Sequence, residues 1–147
     1  MARLLLINGP NLSLLGQRQS EIYGRATLKE IEGRLTELAE ERRHELSCYQ
    51  TDAEHELLKC IHGARDENID LILFNPAAFT HTSIVLRDAL LAVGIPFIEI
   101  HLSNVAARED FRQQSFFSDI AIGTVAGFGI TSYELALIAA ERYLAAT

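Results

Sequence analysis

Short, almost entirely apolar segments alternate with longer amphipathic segments along the whole chain, and this alternation restricts the possible folds more than any other feature. The segments at residues 3–7, 70–74 and 96–100 have the length of strands, and the first two are apolar on both faces. Strands of this kind are typical of a parallel sheet that helices cover on both sides. The order of the segments therefore predicts repeated strand–helix units.

The same pattern predicts where each strand and each helix of such a fold lies in the sequence. Strands are predicted at residues 3–7, 45–51, 70–74, 96–100 and 119–122. Helices are predicted at residues 27–44, from Asp52 through Ile61, at residues 82–93 before Gly94, and at residues 130–146. Thr27 and Glu30 form a capping box, and Asp52 is expected to cap the second helix. The last helix is expected to bury Leu135 and Ile138, with Leu137 or Tyr143 as a further anchor.

Five strand–helix units in 147 residues favour a single α/β domain, residues 1–147, with a flavodoxin-like doubly wound fold. The expected sheet is parallel and five-stranded, with order 2-1-3-4-5 and helices on both faces. Ligands of such domains bind beyond the carboxyl ends of the strands, where the order reverses between strands 1 and 3. The functional residues are therefore expected in the loops at that edge.

Charge and cysteine content narrow the classes of partner. The formal net charge of −7 disfavours nucleic acid and anionic membranes, and no apolar run is long enough to span a bilayer. The first apolar run is too short for a secretory signal, and Cys48 and Cys60 lie outside any CxxC motif. We therefore expect a soluble cytoplasmic protein with two buried, reduced thiols.

The residues that several known functions of doubly wound folds require are missing from this sequence. There is no Walker loop, and Gly127-Phe128-Gly129 lacks the third glycine of a dinucleotide fingerprint. Asn8 and Asn75 stand where a phosphoacceptor domain would need acidic residues, and the loop after the first strand lacks the hydroxyls of a flavin phosphate cradle. His81 and His101 have no partners at metal-ligand spacing.

Three segments remain as candidates for the site, and each follows a predicted strand. The first is the long loop at about residues 8–25, interpreted as an active-site lid. The second is residues 75–83, which lead into a helix N-terminus, and the third is residues 101–104 with Arg108 and Arg112 beyond. We expect all three to converge on one cleft.

Proton transfer is the chemistry that these segments fit best. A phenol is a weak base at neutral pH unless a cation stabilises its phenolate, and Arg18 lies five residues before Tyr23. His101 is able to give or accept a proton near neutrality. Polar groups that would hold a substrate are Asn11, Asn75, Ser103 and Arg112. The residues alone leave four simpler interpretations open: a packing tyrosine, a strand-end histidine, a solvated charge run at residues 108–112, and asparagines at 11 and 75 that only cap turns.

Three blocks resemble one known family. Residues 7–18 (INGPNLSLLGQR) with Tyr23-Gly24, residues 75–83 (NPAAFTHTS) with residues 86–90, and residues 99–104 (EIHLSN) with Arg108 and Arg112 are similar to the type II 3-dehydroquinate dehydratases. The blocks occur in the family's order and spacing and cover essentially the whole chain. Departures are Ser13, the Gln19-Ser20 pair and residues 77–79, where the family usually has Asn, Glu-Pro and Gly-Ala-Tyr.

The resemblance implies an enzyme that converts 3-dehydroquinate to 3-dehydroshikimate through an enolate, in the shikimate pathway, without cofactor or metal. It implies catalytic roles for Tyr23 as proton acceptor, His101 as proton donor, Arg18 as transition-state stabiliser and Asn11 at the enolate. It implies substrate binding by Asn75, His81, Leu102, Ser103 and Arg112, and by Asp88 at a neighbouring subunit's site. The implied assembly is a homododecamer, a tetramer of trimers.

Two alternatives remain at this stage. A relative of the same family could serve quinate breakdown with identical chemistry. A ligand-binding or regulatory module could keep the cleft and lack turnover, and the departures in the lid are its only support in the sequence.

Overall fold

All the strands of the computed structural model, which describes residues 1–17 and 19–147, lie in one parallel sheet. The strand order is β2-β1-β3-β4-β5, so the predicted doubly wound topology is confirmed. The strands are β1 (Arg3–Asn8), β2 (Glu45–Gln50), β3 (Leu71–Asn75), β4 (Phe97–His101) and β5 (Gly123–Ala126). The order reverses at β1 and β3, and this places the carboxyl ends of β1, β3 and β4 side by side.

Helices cover both faces of this sheet, as the apolar strands require. They are α1 (Ser20–Tyr23), α2 (Leu28–Glu41), α3 (Glu54–Asp66), α4 (Ile84–Val93) and α5 (Thr131–Ala145). Leu4 and Leu6 of β1 point into a core with α2 and α5, whereas Leu5 and Ile7 point into a second core with α3 and α4. Successive side chains of a strand alternate between the two faces, which is why an uninterrupted apolar run is needed here. Among the described residues, none of the helices has the length and apolarity to cross a membrane.

The helix ends follow the sequence signals at two of three predicted positions. The hydroxyl of Thr27 accepts a hydrogen bond from the N–H of Glu30, and Gly94 ends α4 in a left-handed conformation with φ 69°. The prediction for Asp52 is wrong, because α3 begins after Ala53 and has no side-chain cap. Asp52 instead accepts a hydrogen bond from the backbone N–H of Asn11, which lies in the loop after β1.

The fifth strand was predicted a few residues too early. Residues 119–122 form a turn in which the N–H groups of Ile120 and Ala121 both bond to the carbonyl of Phe117. The strand that pairs with β4 is Gly123–Ala126. The apolar run of residues 120–122 misled the prediction because it precedes the paired residues directly.

The core positions of α5 also differ from the prediction. Leu137 is buried, as expected, but Leu135 is exposed and Tyr143 is more than a third exposed. Ile138 is only partly buried, and the buried face otherwise carries Tyr133, Ala136 and Ala140. The small alanine side chains allow the helix to approach the sheet closely. Because they are not large apolar residues, the sequence pattern did not mark them as buried.

Both cysteines are free, as expected, and each is half-buried rather than fully buried. Burial raises the pKa of each thiol to about 11. Neither thiol is therefore activated as a nucleophile.

Candidate active site

A cleft lies at the carboxyl edge of the sheet, at the point where the strand order reverses. It holds about 610 Å³ of empty space and opens to solvent. The predicted residues that line this carboxyl-edge cleft are Asn11, Tyr23, Asn75, His81, His101, Leu102, Ser103 and Arg112. The three candidate segments therefore converge as expected. Asp88 is exposed on α4 and is not part of this lining, and Arg18 lies outside the described residues.

The loop after β1 is held against the loop after β3 by a close backbone contact. Gly9 donates its N–H to the carbonyl of Asn75 at 2.8 Å, and a Cβ at Gly9 would come within 2.5 Å of the carbonyl oxygen of Pro76. Only glycine fits at such a distance. The contact brings the two loops together at the floor of the cleft.

Asn11 follows this contact in a left-handed conformation with φ 68°. Its backbone N–H donates a hydrogen bond of 2.9 Å to Asp52, which also accepts from Gln50 at 3.2 Å. Asparagine tolerates this conformation better than most residues do. Asp52 and Gln50, at the end of β2, thus fix the backbone that carries Asn11 into the cleft.

Tyr23 enters the cleft from the end of α1, within the long loop. The loop contains a short 3-10 helix at Leu12–Leu14 and the single turn of α1, so it has more regular structure than its sequence indicated. Arg108 donates a hydrogen bond of 3.0 Å from Nη1 to the phenol oxygen of Tyr23 and lies 5.5 Å from the ring centroid. The same nitrogen is 3.3 Å from the hydroxyl of Ser103. A cationic donor at the phenol oxygen stabilises a phenolate there.

His101 lies across the cleft at the end of β4, and its ring is fixed from behind. Nε2 of His101 is 2.5 Å from the carboxylate of Glu99, which is completely buried. Thr80 and Ser118 donate further hydrogen bonds to the carboxylate at 2.6 and 2.7 Å, and Ser115 donates one at 2.9 Å. Because Glu99 occupies Nε2, Nδ1 is the ring nitrogen left to meet a ligand in the cleft.

Glu99 stays ionised despite its burial. Burial alone would raise the pKa of this carboxyl group, but the hydrogen bond and the positive charge of His101, with the hydroxyls of Thr80 and Ser118, lower it below its ordinary value. The ionised carboxylate at Nε2 holds the imidazole in one position at the edge of the cleft.

The amide of Asn75 forms part of the cleft and is almost completely buried. Its Nδ2 donates a hydrogen bond of 2.8 Å to the hydroxyl of Tyr133, and its Oδ1 accepts one of 3.1 Å from the N–H of Ala77. Because the nitrogen and the oxygen of this amide each have a hydrogen-bond partner, only one orientation of the side chain satisfies both.

The remaining polar side chains stand at the rim. His81 shares a hydrogen bond of 2.8 Å between Nδ1 and the carbonyl of Gln114. Arg112 bonds to Glu109 through Nε at 2.9 Å and lies 5.1 Å above the ring of Phe111. Both side chains are thereby held in place with donor groups beside the opening.

The site prediction gave no role to two residues, Arg108 in the cleft and Glu99 behind it. Arg108 stood in a candidate segment and in a block that resembles the family, but that segment equally suited a solvated charge run. Glu99 is a single carboxylate within an apolar strand, two residues before His101 and so on the same face. A lone acidic residue at a core position is a signal that sequence reasoning can use.

Fold and site together are typical of a doubly wound α/β enzyme that moves protons on a small molecule, with a cation-bound phenol and a carboxylate-bound imidazole in one cleft. Among residues 1–17 and 19–147, no group of three or more His, Cys, Asp or Glu side chains is arranged to hold a metal ion.

Comparisons with known proteins agree with this class. Residues 2–141 match the family model described as dehydroquinase class II. A 3-dehydroquinate dehydratase of Teredinibacter turnerae is 60% identical over 98% of this chain and 94% of its own length. A 3-dehydroquinate dehydratase of Hahella chejuensis is 61% identical over 95% of both chains. The crystal structure of type II dehydroquinase from Propionibacterium acnes superposes with a TM-score of 0.91 at 41% identity, covering 100% of this chain and 98% of that one. The chain belongs to the class II dehydroquinase family.

Proposed function

We propose that this chain removes water from 3-dehydroquinate to give 3-dehydroshikimate, the third step of the shikimate pathway. The observation that carries the proposal is the pairing in one cleft of Tyr23, bound by Arg108, with His101, bound by Glu99. A base and an acid with different charged partners are what an elimination in two proton-transfer steps requires. The names of the relatives favour this enzyme over a binding module without turnover.

Tyr23 is the base in this proposal. Its phenolate takes a proton from the carbon next to the ketone, and the electrons of the broken C–H bond form an enolate. Arg108 stabilises the phenolate through its hydrogen bond of 3.0 Å. We assign Arg18 the same task as transition-state stabiliser, from its place five residues before Tyr23 in the sequence.

Asn11 stabilises the enolate oxygen, acting through a bridging water. Its backbone is fixed by Asp52, so its side chain is presented from a defined point of the cleft wall. A donor already in place costs no reorganisation when charge develops on the oxygen.

His101 is the acid of the second step. The enolate reforms the ketone, a C=C bond forms beside it, and the C–O bond to the β-hydroxyl breaks. His101 gives its proton to the departing oxygen, which leaves as water. Glu99 holds the ring in place for this transfer.

Substrate binding is assigned to the groups around this pair. Asn75, His81 and Arg112 hold the oxygen substituents of the ring, and the backbone N–H groups of Leu102 and Ser103 receive the carboxylate. The net charge of −7 does not oppose this anion, because Arg108 and Arg112 concentrate positive charge at the cleft.

We also propose the wider setting of the enzyme. Residues 1–147 form a single catalytic domain with a lid at about residues 8–25, and the chains assemble as a homododecamer of four trimers in the cytoplasm. Asp88 then serves the site of a neighbouring subunit, which agrees with its exposed position outside its own cleft.

Turnover of 3-dehydroquinate tests the function directly. Purified protein is mixed with the substrate, and the absorbance of the conjugated enone is followed without added metal and again with a chelator. We expect the same rise in both. No rise with protein that is folded by circular dichroism would refute the proposed activity. Tyr23→Phe and His101→Ala are each expected to lose most of kcat while they keep the fold, and a fully active Tyr23→Phe would contradict the assignment of the base.

A further inference from the structure

A continuous chain of hydrogen bonds runs from the cleft into the core behind it. The N–H of Ala77 meets Oδ1 of Asn75 at 3.1 Å, and Nδ2 of Asn75 meets the hydroxyl of Tyr133 at 2.8 Å. That hydroxyl meets Oδ1 of Asn8 at 2.7 Å. Asn8, Asn75 and Tyr133 are each at most 2% exposed, so no bulk solvent competes for these bonds.

The direction of each hydrogen bond follows from its partners. At the cleft end, the N–H of Ala77 is able only to donate, so Asn75 must present its oxygen there and its nitrogen to Tyr133. At the core end, the hydroxyl of Tyr133 donates to Oδ1 of Asn8, whose Nδ2 has no hydrogen-bond partner among the described residues. Tyr133 donates to Asn8 and accepts from Asn75.

Rotating a side-chain amide by about 180° exchanges its NH2 donor and its oxygen acceptor with almost no change of shape. In Asn75 this exchange would place Oδ1 against the hydroxyl oxygen of Tyr133, whose proton already serves Asn8. It would also place Nδ2 against the N–H of Ala77. Both contacts are repulsive, so the observed orientation is the stable one. Burial also raises the pKa of Tyr133, so its hydroxyl keeps the proton that this arrangement needs.

We propose that Tyr133 is a positioning residue that sets the orientation of the Asn75 amide and thereby decides which hydrogen-bonding groups the cleft offers to the substrate. Tyr133 itself does not line the cleft. The inference rests on the proposed function in one respect, the assignment of Asn75 to a substrate oxygen.

Tyr133→Phe removes one oxygen atom and keeps the ring that fills the core. Without that oxygen the Asn75 amide loses one of its two fixed partners and is held only through the N–H of Ala77. Asn75 holds the substrate before and during the reaction alike, so its loss of order weakens binding uniformly. We expect KM for 3-dehydroquinate to rise about 5- to 20-fold, with kcat within about twofold of the unchanged chain. Tyr143→Phe removes the hydroxyl of a partly exposed tyrosine on the same helix and is the matched control.

A double-mutant cycle separates positioning from general damage to the fold. In an Asn75→Ala background no amide remains to be oriented, so adding Tyr133→Phe is expected to change KM by less than about twofold. A purely structural effect would instead raise KM again by the same factor, and this result would overturn the inference. A Tyr133→Phe chain with normal KM, or with a fall confined to kcat, would overturn it as well.

Asn8→Ala provides a second route if Tyr133→Phe does not fold. This substitution removes the acceptor of the Tyr133 hydroxyl, which is then free to donate toward Asn75, so that only the N–H of Ala77 still opposes the exchanged amide. Asn8 does not line the cleft, so a rise in KM reports on the chain of bonds alone. An unchanged KM refutes the role of the chain. Failure of the proposed function has a different signature, because the unchanged protein would then show no turnover at all.

Discussion

Arg108 donates a hydrogen bond to the phenol oxygen of Tyr23 across 85 residues of sequence, at 3.0 Å, with its guanidinium 5.5 Å from the ring. The bond joins the segment after β4 to the long loop after β1. Its second contact, at 3.3 Å to the hydroxyl of Ser103, fixes the guanidinium at the end of β4. The proposed base is thereby held by a charge that belongs to a different segment of the cleft lining.

Arg108→Ala is expected to lower kcat about 10- to 100-fold, since hydrogen bonds to charged groups contribute about 1.5–3 kcal/mol. Arg108→Lys keeps the charge but loses the planar guanidinium whose Nη1 contacts both Tyr23 and Ser103, so its kcat should lie between that of the unchanged protein and that of Arg108→Ala. Initial rates with 3-dehydroquinate measure both. Arg65→Ala, at an exposed position on α3, is the control. An Arg108→Ala chain with unchanged kcat would show that Tyr23 does not depend on this cation.

Glu99→Gln should lower kcat at least tenfold, because it removes the carboxylate that holds the ring of His101 and turns a pure acceptor into a group that both donates and accepts. Its amide would meet the hydroxyl donors of Thr80 and Ser118. Initial rates with 3-dehydroquinate measure this loss, with Glu40→Gln on the surface of α2 as control. An unchanged kcat would separate Glu99 from the proposed proton donor.

Glu99 should also make the fold sensitive to acid. Its pKa is lowered in the folded protein from an ordinary value of 4.5, so the unfolded chain binds a proton more readily as the pH falls. The stabilisation is therefore complete above about pH 4.5 and declines as the pH drops toward the folded value. Urea unfolding at a series of pH values is expected to show a smaller loss of stability in acid for Glu99→Gln than for the unchanged chain. If the free energy of unfolding falls equally with decreasing pH in both proteins, folding does not selectively stabilise the ionised form of Glu99.

The sequence was sufficient for the fold because the inner strands β1 and β3 had to be apolar on both faces. β3 is buried along its whole length between two layers of helix, and no other arrangement hides Leu71 through Phe74. The same rule put the ends of β1, β3 and β4 together and so located the cleft. β5 was misplaced because only its pairing with β4, which is not a local property, distinguishes Gly123–Ala126 from the apolar residues before it.

The parts of the site that the sequence did not predict are contacts between distant segments. Tyr133 looked like one more helix residue, and its partners Asn8 and Asn75 lie 125 and 58 residues away. Asp52 looked like a helix cap because Asp before a helix is a common signal, yet it bonds to Asn11, 41 residues before it. Side-chain hydrogen bonds of this range depend on the finished fold.

Asp52→Ala should weaken the proposed placement of Asn11. It removes the acceptor that holds the Asn11 N–H at 2.9 Å, and a left-handed asparagine without this bond is free to relax to other conformations. We expect kcat/KM to fall about 3- to 30-fold with little change in the melting temperature, because Asp52 is exposed. Asp66→Ala, also exposed, is the control. If Asp52→Ala matches that control in kcat/KM, the bond has no part in placing Asn11.

Asp88 provides a test of the assembly that does not depend on measuring size. If Asp88 completes the site of a neighbouring subunit, Tyr23→Phe and Asp88→Ala chains are each inactive alone, for different reasons. In mixed trimers, a chain that keeps Tyr23 beside a neighbour that keeps Asp88 forms a complete site. Random mixing in equal amounts should therefore restore about a quarter of the sites. Co-expressed, doubly tagged chains assayed with 3-dehydroquinate measure this recovery. Mixtures that stay as inactive as the separate variants would place Asp88 outside any shared site.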